Sequence, residues 1–178
     1  SSEDKSSDKE LELINRISKM QLTDMRSYLK GNMAGITPCE DGLSAIMDNL
    51  IKRLCSIVGM DWGTLQSAGG AQGEYIGLHL IKSFHQSRGD LKRNTVLIPS
   101  NAHGTNPASA AFCSMNVVEI PVDGKGLVDI KALEPLMDDT IAAIMLTNPN
   151  TLGSFEVEIA KIASMVHECG GVLYYDGA

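Results

Sequence analysis

Apolar runs at Thr95–Ile98, Val117–Pro121, Ile141–Leu146 and Val172–Tyr175 recur between segments of helical period, and this alternation restricts the fold more than any other feature of the chain. Each run is short, rich in β-branched or large aliphatic side chains and bounded by turn residues, so each reads as a buried strand. The intervening segments read as helices. One runs from a glycine-rich turn at Ser67–Glu74 to about Arg88, with Ile76, Leu80 and Phe84 on one face, and Gly73 and Gly77 allow it to lie close against a sheet. Another covers Pro107–Met115, with Asn106 as a candidate cap and Pro107 suited to a helix start. A third covers Asp129–Met137 with Asp129 as its cap, and a fourth covers about Glu156–Cys169 and ends at Gly170 and Gly171. Such alternation predicts an open, mainly parallel α/β sheet with helices on its faces. Ligands of these sheets sit beyond the carboxyl ends of the strands. That edge collects Ser100–Thr105, Thr147–Asn150 and Asp176, and the glycine-rich turn joins them through its helix start.

A chain of 178 residues with 43% apolar and 21% charged side chains is enough for one sizeable soluble domain. Its net charge of -7 argues against a nucleic-acid surface and against attraction to anionic lipid. Cys39, Cys55, Cys113 and Cys169 form no Cys-x-x-Cys pair and read as free thiols of a reducing compartment; His79, His85, His103 and His167 show no metal-ligand spacing. No apolar run approaches a membrane span and no signal core opens the chain, which is expected to be soluble and intracellular. Residues 1–10, acidic and serine-rich, are expected to form a disordered tail. Residues 11–58 are expected to form a helical N-terminal arm, from Leu13, Ile14, Ile17 and Met20 and, after a loop over Gly31–Gly42, from Ile46, Leu50, Leu54 and Ile57. The α/β domain then occupies residues 59–178.

The turn at Gly69, Gly70, Ala71 and Gln72 offers backbone N–H groups at a helix start, where phosphate is the natural guest; a plain tight turn is the alternative. His103 has a flat ring that can stack on an aromatic ligand or exchange a proton, or can simply close a strand end by hydrogen bonding. Thr105 and Asn106 read equally as caps. Thr147, Asn148 and Asn150 offer hydroxyl and amide groups to a ligand, or make a turn around Pro149. Asp176, a carboxylate at the end of an apolar strand, needs a cation or a proton. A pyridinium nitrogen is one such cation, and pyridoxal phosphate enzymes commonly set an Asp against it. A metal ion or a cap for the following segment are the other readings. Tyr174 and Tyr175 are assigned to packing, and Glu74 either assists the site or suits its helix dipole.

Taken in order, Ser67-Ala-Gly-Gly-Ala-Gln-Gly-Glu74, Ala102-His-Gly-Thr-Asn-Pro-Ala-Ser-Ala110, Leu146-Thr-Asn-Pro-Asn-Thr-Leu-Gly153 and Leu173-Tyr-Tyr-Asp-Gly-Ala178 closely resemble glycine decarboxylase, the P-protein of the glycine cleavage system, also called glycine dehydrogenase (aminomethyl-transferring). The match is to its catalytic half, or subunit 2 where the enzyme is split, and runs from about Gly59 onward. The resemblance implies the three-layer large domain of the type I pyridoxal phosphate-dependent transferases. It implies a reaction in which glycine loses its carboxylate as CO2 and its aminomethyl group passes to the lipoyl arm of H-protein. It further implies a homodimer, or a heterodimer or heterotetramer with the other P-protein half. Carried onto this chain, Gly70, Ala71 and Gln72 would hold the cofactor phosphate, His103 would lie on or beside the ring, and Thr105 would lie near the substrate. Asp176 would pair with the pyridinium nitrogen, with Thr147 and Asn148 nearby. By the same analogy the compartment is cytoplasmic in a bacterium and the mitochondrial matrix in a eukaryote.

The chain departs from the family pattern at two points. The family's Schiff-base lysine lies beyond the Tyr-Tyr-Asp-Gly-Ala run, in a His-Lys context, and no lysine here occupies that place. The Gly-Ser-Cys-Thr-Met-Lys type segment is replaced by Tyr28-Leu-Lys-Gly-Asn-Met-Ala-Gly35. The expectation is therefore an incomplete domain, a fragment ending before the lysine. The competing functions are another type I decarboxylase or aminotransferase, and a catalytically inactive binding or regulatory module of the same fold.

Overall fold

A computed structural model describes residues 38–177. The tail expected over residues 1–10 and the helices expected over 11–29 lie outside the described residues. The chain divides into two compact units, Ser1–Gly69 and Gly70–Ala178. In the first, helix α1 spans Pro38–Val58. It begins before the expected Leu43, because a proline at the first helical position has the right φ and loses no hydrogen bond there. Gly59 follows it at φ 71°.

The second unit runs α2 (Gly70–Ser87), β1 (Thr95–Pro99), α3 (Thr105–Phe112), β2 (Asn116–Ile120), α4 (Ile130–Leu133) with a 3-10 turn at Glu134–Leu136, β3 (Ile141–Thr147), α5 (Ile159–Glu168) and β4 (Val172–Asp176). The strands pair in the order β2-β1-β3-β4 and every pairing is parallel. β1 and β3 are buried along their whole length, as strands covered on both faces must be, and this is why they read as unbroken apolar runs. At the edge, β2 exposes Asn116–Glu119 and buries Ile120.

Successive side chains divide between two cores. Val96, Ile98 and Met145 pack with Leu78 of α2 and Ala110 of α3. Leu97, Ile144 and Leu146 pack with Leu133 of α4 and with Ile162 and Val166 of α5. The unit is thus three layers, helix on sheet on helix, as the alternation of strands and helices predicts.

Asp129 caps α4 as expected, its side chain accepting from the N–H groups of Lys131 and Ala132. Asn106 does not cap α3. That helix starts at Thr105 after Gly104, no side chain caps it, and Asn106 is fully buried with other partners. On α2, Leu80 and Phe84 are exposed; the buried positions are Glu74, Leu78 and His85. His85 donates from Nε2 to the Ala142 carbonyl at 2.9 Å. Two of the three buried positions are polar, so counting apolar residues selects the wrong side of this helix.

Gly77 brings α2 against β4. A Cβ there would lie 2.3 Å from Cε2 of the Tyr174 ring. Gly77→Ala is expected to destabilise the unit by about 1–3 kcal/mol in urea unfolding, the range for overpacking. In a Tyr174→Ala background the same change is expected to cost little, and equal costs in both backgrounds would refute the close-approach account.

Candidate active site

The chain leaves β1 to build β2 on one side and crosses to β3 on the other, so the strand order reverses between β1 and β3. Crevices of open α/β sheets form at the carboxyl ends flanking such a reversal. Three segments meet there. The turn after β1 carries His103, β3 ends on Thr147, and β4 ends on Asp176. Thr147 and Asp176 are register partners within the parallel ladder, and the Asn148 N–H donates to the Asp176 carbonyl at 2.9 Å. Both functional side chains therefore stand on strand rather than loop.

A hydrogen-bonded chain joins these ends. Asn106 Nδ2 donates to Thr147 Oγ1 at 3.2 Å, and Thr147 Oγ1 donates to Asp176 Oδ2 at 3.2 Å. His103 Nε2 donates to the same oxygen at 3.2 Å. From the first turns of α2, Glu74 Oε1 lies 3.6 Å from His103 Nε2, and Glu74 Oε2 accepts from Ser109 Oγ at 2.9 Å. The side chains of Glu74 and Asp176 are 9% and 11% exposed, against 33% for His103, so the imidazole is the member open to a ligand. Two carboxylates, Glu74 buried and Asp176 partly so, bracket one imidazole and make a site complementary to a cation. The Tyr174 phenol is pushed up to about 12 by burial and by the nearby Asp176 and Glu74 charges, and it is neutral at physiological pH.

Glu74, His103 and Asp176 each present a ligand atom, all within 4.8 Å of one another, a proximity that spacing along the chain did not reveal. Thr147 and Ser109 orient the two carboxylates toward the ring. Gly70, Ala71 and Gln72 form the exposed first turn of α2. Thr105 opens α3 and is exposed, and among the described residues it makes no hydrogen bond to the cluster. Asn148 is buried, its Oδ1 accepting from the Glu156 N–H and its carbonyl accepting from Tyr175 Oη.

Sequence alone leaves Glu74 undecided, offers Asn150 as a ligand-binding or turn residue, and assigns no role in the site to Ser109, Asn101 or Glu156. Asn101 and Asn150 both donate to the Gly126 carbonyl, and Glu156 accepts from the Val128 N–H, which ties the loops after β1, β2 and β3 together. Asp123 holds the middle loop by accepting from Lys125 and Leu127, and those bonds keep its carboxyl below the usual range. The one available signal was Glu74, an ionisable residue that turned out to share a helix face with Leu78.

No family model matches the chain. It is similar to the probable glycine dehydrogenase (decarboxylating) subunit 2 of Thermotoga maritima, 53% identical over 137 residues, which is 77% of this chain and 29% of that protein. It is similar to the protein of the same name from Pyrococcus abyssi, 51% identical over 151 residues, 82% of this chain and 30% of that protein. Among solved structures it resembles a glycine decarboxylase (P-protein) of the glycine cleavage system in inhibitor-bound form, with a TM-score of 0.64 and 16% identity over 87% of this chain and 35% of that one. It also resembles mouse CSAD, with a TM-score of 0.62 and 20% identity over 75% of this chain and 31% of that one. The structural likenesses place the second unit among the pyridoxal phosphate-dependent transferase folds. The sequence likenesses are sharper: over about four fifths of its length the chain is about half identical to proteins named probable glycine dehydrogenase (decarboxylating) subunit 2, and it spans under a third of the length of the curated relatives it matches.

The role of Thr147 is open to direct measurement. Thr147→Val removes the hydroxyl and leaves the buried Asn106 amide without its acceptor, at an expected cost of about 1–3 kcal/mol. Thr147→Ser should retain most of the stability; equal losses for the two variants in urea unfolding would show that the hydroxyl is not what matters.

Proposed function

We propose that this chain supplies the cofactor-binding part of a pyridoxal phosphate-dependent glycine dehydrogenase. In that reading glycine loses its carboxylate as CO2 and the remaining aminomethyl group passes to the lipoyl group of H-protein. The observation that carries it is Asp176, a mostly buried carboxylate fixed by Thr147 at a strand end and facing an accessible imidazole. The name shared by the sequence relatives supports glycine as the substrate, since the solved neighbours at 16–20% identity share the fold alone.

The residues present fit the cofactor on two counts. The donor and acceptor set around Asp176 suits a flat aromatic cation. An added Cβ at Gly70 would meet nothing within 4 Å, which leaves room for an anion beside the amides of an 18-residue helix start. Pyridoxal phosphate supplies an electron sink for decarboxylation. Gly70, Ala71 and Gln72 are assigned to its phosphate, His103 to the face or edge of its ring, and Asp176 to its pyridinium nitrogen. Thr147 and Asn148 support the Asp176 end, and Thr105 is assigned to the substrate side. The partners proposed are lipoylated H-protein and a second P-protein subunit, either another copy or the other half of the enzyme; the relatives' own name, subunit 2, agrees with the latter.

In the full-length protein, Asp176→Ala is expected to lower glycine–bicarbonate exchange by about 10²–10³-fold, the range for loss of one aligned electrostatic group. Undiminished exchange in that variant would remove the pyridinium assignment. Exchange with another amino acid in place of glycine would point instead to a different type I decarboxylase.

A further inference from the structure

We propose that Glu74 is a positioning residue for His103: anchored by Ser109, its carboxylate is the second acceptor that holds the imidazole in place when Asp176 engages the cofactor ring. The inference rests on the pyridoxal phosphate reading given above.

His103 Nε2 has one proton to donate and two carboxylates within reach, Asp176 Oδ2 at 3.2 Å and Glu74 Oε1 at 3.6 Å. An acceptor that also serves a ring nitrogen holds the imidazole less firmly, and Glu74 stands where it can take over. A helix-dipole role does not account for Glu74, because it is the fifth residue of α2, past the first turn within which the dipole acts. Glu74 is also only 7% exposed, and burying a carboxylate is costly unless it is well partnered. Its second oxygen is engaged by Ser109 Oγ at 2.9 Å, and Ser109 is itself buried on α3. Glu74 therefore joins α2 to α3 and directs its remaining oxygen at His103. The acids beside the imidazole are Glu74 from α2 and Asp176 from β4, and Tyr174 of β4 lies near both acids. With Tyr174 neutral, the two carboxylates are the charged neighbours that fix the ring among the described residues.

The test is a double-mutant cycle on cofactor affinity in the full-length protein, read by equilibrium dialysis with pyridoxal phosphate, alongside the visible circular dichroism of the bound cofactor. Glu74→Gln keeps an oxygen for Ser109 but presents no anion to the imidazole. It is expected to weaken pyridoxal phosphate binding about tenfold, the scale of one hydrogen bond to a charged group, and to diminish the dichroic band. Ser109→Ala should act in the same direction with a smaller loss, about threefold. In a His103→Phe background both changes should fall within about twofold of no effect, since the group they position is gone. The proposal is overturned if Glu74→Gln leaves the affinity unchanged, or weakens it by the same factor with and without His103. Should Glu74→Gln not fold, the Ser109→Ala and His103→Phe cycle measures the same coupling. Failure of the unsubstituted protein to bind pyridoxal phosphate overturns the functional reading itself, and is told apart because it appears before any variant is made.

Discussion

The parallel register between β3 and β4 sets Thr147 beside Asp176, and the Asn148 N–H completes the ladder on the Asp176 carbonyl. The rest of the site depends on that pairing. Parallel pairing sets residue beside residue along the ladder, so the polar residue closing β3 is held at a fixed distance from its register partner closing β4. Because the ladder is buried from Ile141 to Thr147, neither end can slip without turning apolar side chains of two cores to the wrong face. The carboxylate of Asp176 is thus positioned by the hydrophobic effect acting several residues away, and its direction is then set by Thr147 and His103.

The helices complete the cluster from one side of the sheet. α2 can reach β4 because Gly77 leaves room for the Tyr174 ring, and that approach carries Glu74 to the imidazole. α3 starts just after His103 and contributes Asn106 and Ser109, one to each end of the hydrogen-bonded chain. A buried polar group is tolerated where its partners are supplied, and each of these four side chains receives or gives at least one bond. The polar network and the packing of α2 and α3 are therefore one arrangement: loosening the helix contact would strand buried donors and acceptors.

The strands were legible in the sequence because both faces of β1 and β3 are covered, which forces continuous apolar runs that no polar alternation interrupts. The gathering of His103, Thr147 and Asp176 at one edge followed from that alternation, since parallel strands share a carboxyl end. What the sequence could not give is how side chains answer one another across elements. Asn106 has the chemistry of a cap and sits beside a proline, yet its amide bonds to Thr147, a residue distant in sequence. In the sequence Glu74 reads as an ordinary acid near a helix start; the structure sets it past the first turn of α2, with Ser109 and His103 brought against it. The packed side of α2 was obscured because burial there is shared by Glu74, Leu78 and His85, and only one of these is apolar.

The same distinction separates what is general in this site from what is particular to it. Asp176 and Thr147 lie on strands, where backbone register fixes them whatever the neighbouring loops contain. His103 lies on a turn, and a turn does not hold an imidazole by its backbone alone. Its place is set by acids from two different layers, Asp176 from the sheet and Glu74 from a helix, and Glu74 is in turn held by Ser109 from a second helix. The His-Gly-Thr-Asn-Pro-Ala-Ser run is thus coherent as a unit: its first residue enters the site, its Asn reaches the strand end, and its Ser fixes the acid that faces the first. Loss of the Asn106 amide or the Ser109 hydroxyl is therefore transmitted toward the imidazole through a carboxylate, Asp176 by way of Thr147 in the first case and Glu74 in the second.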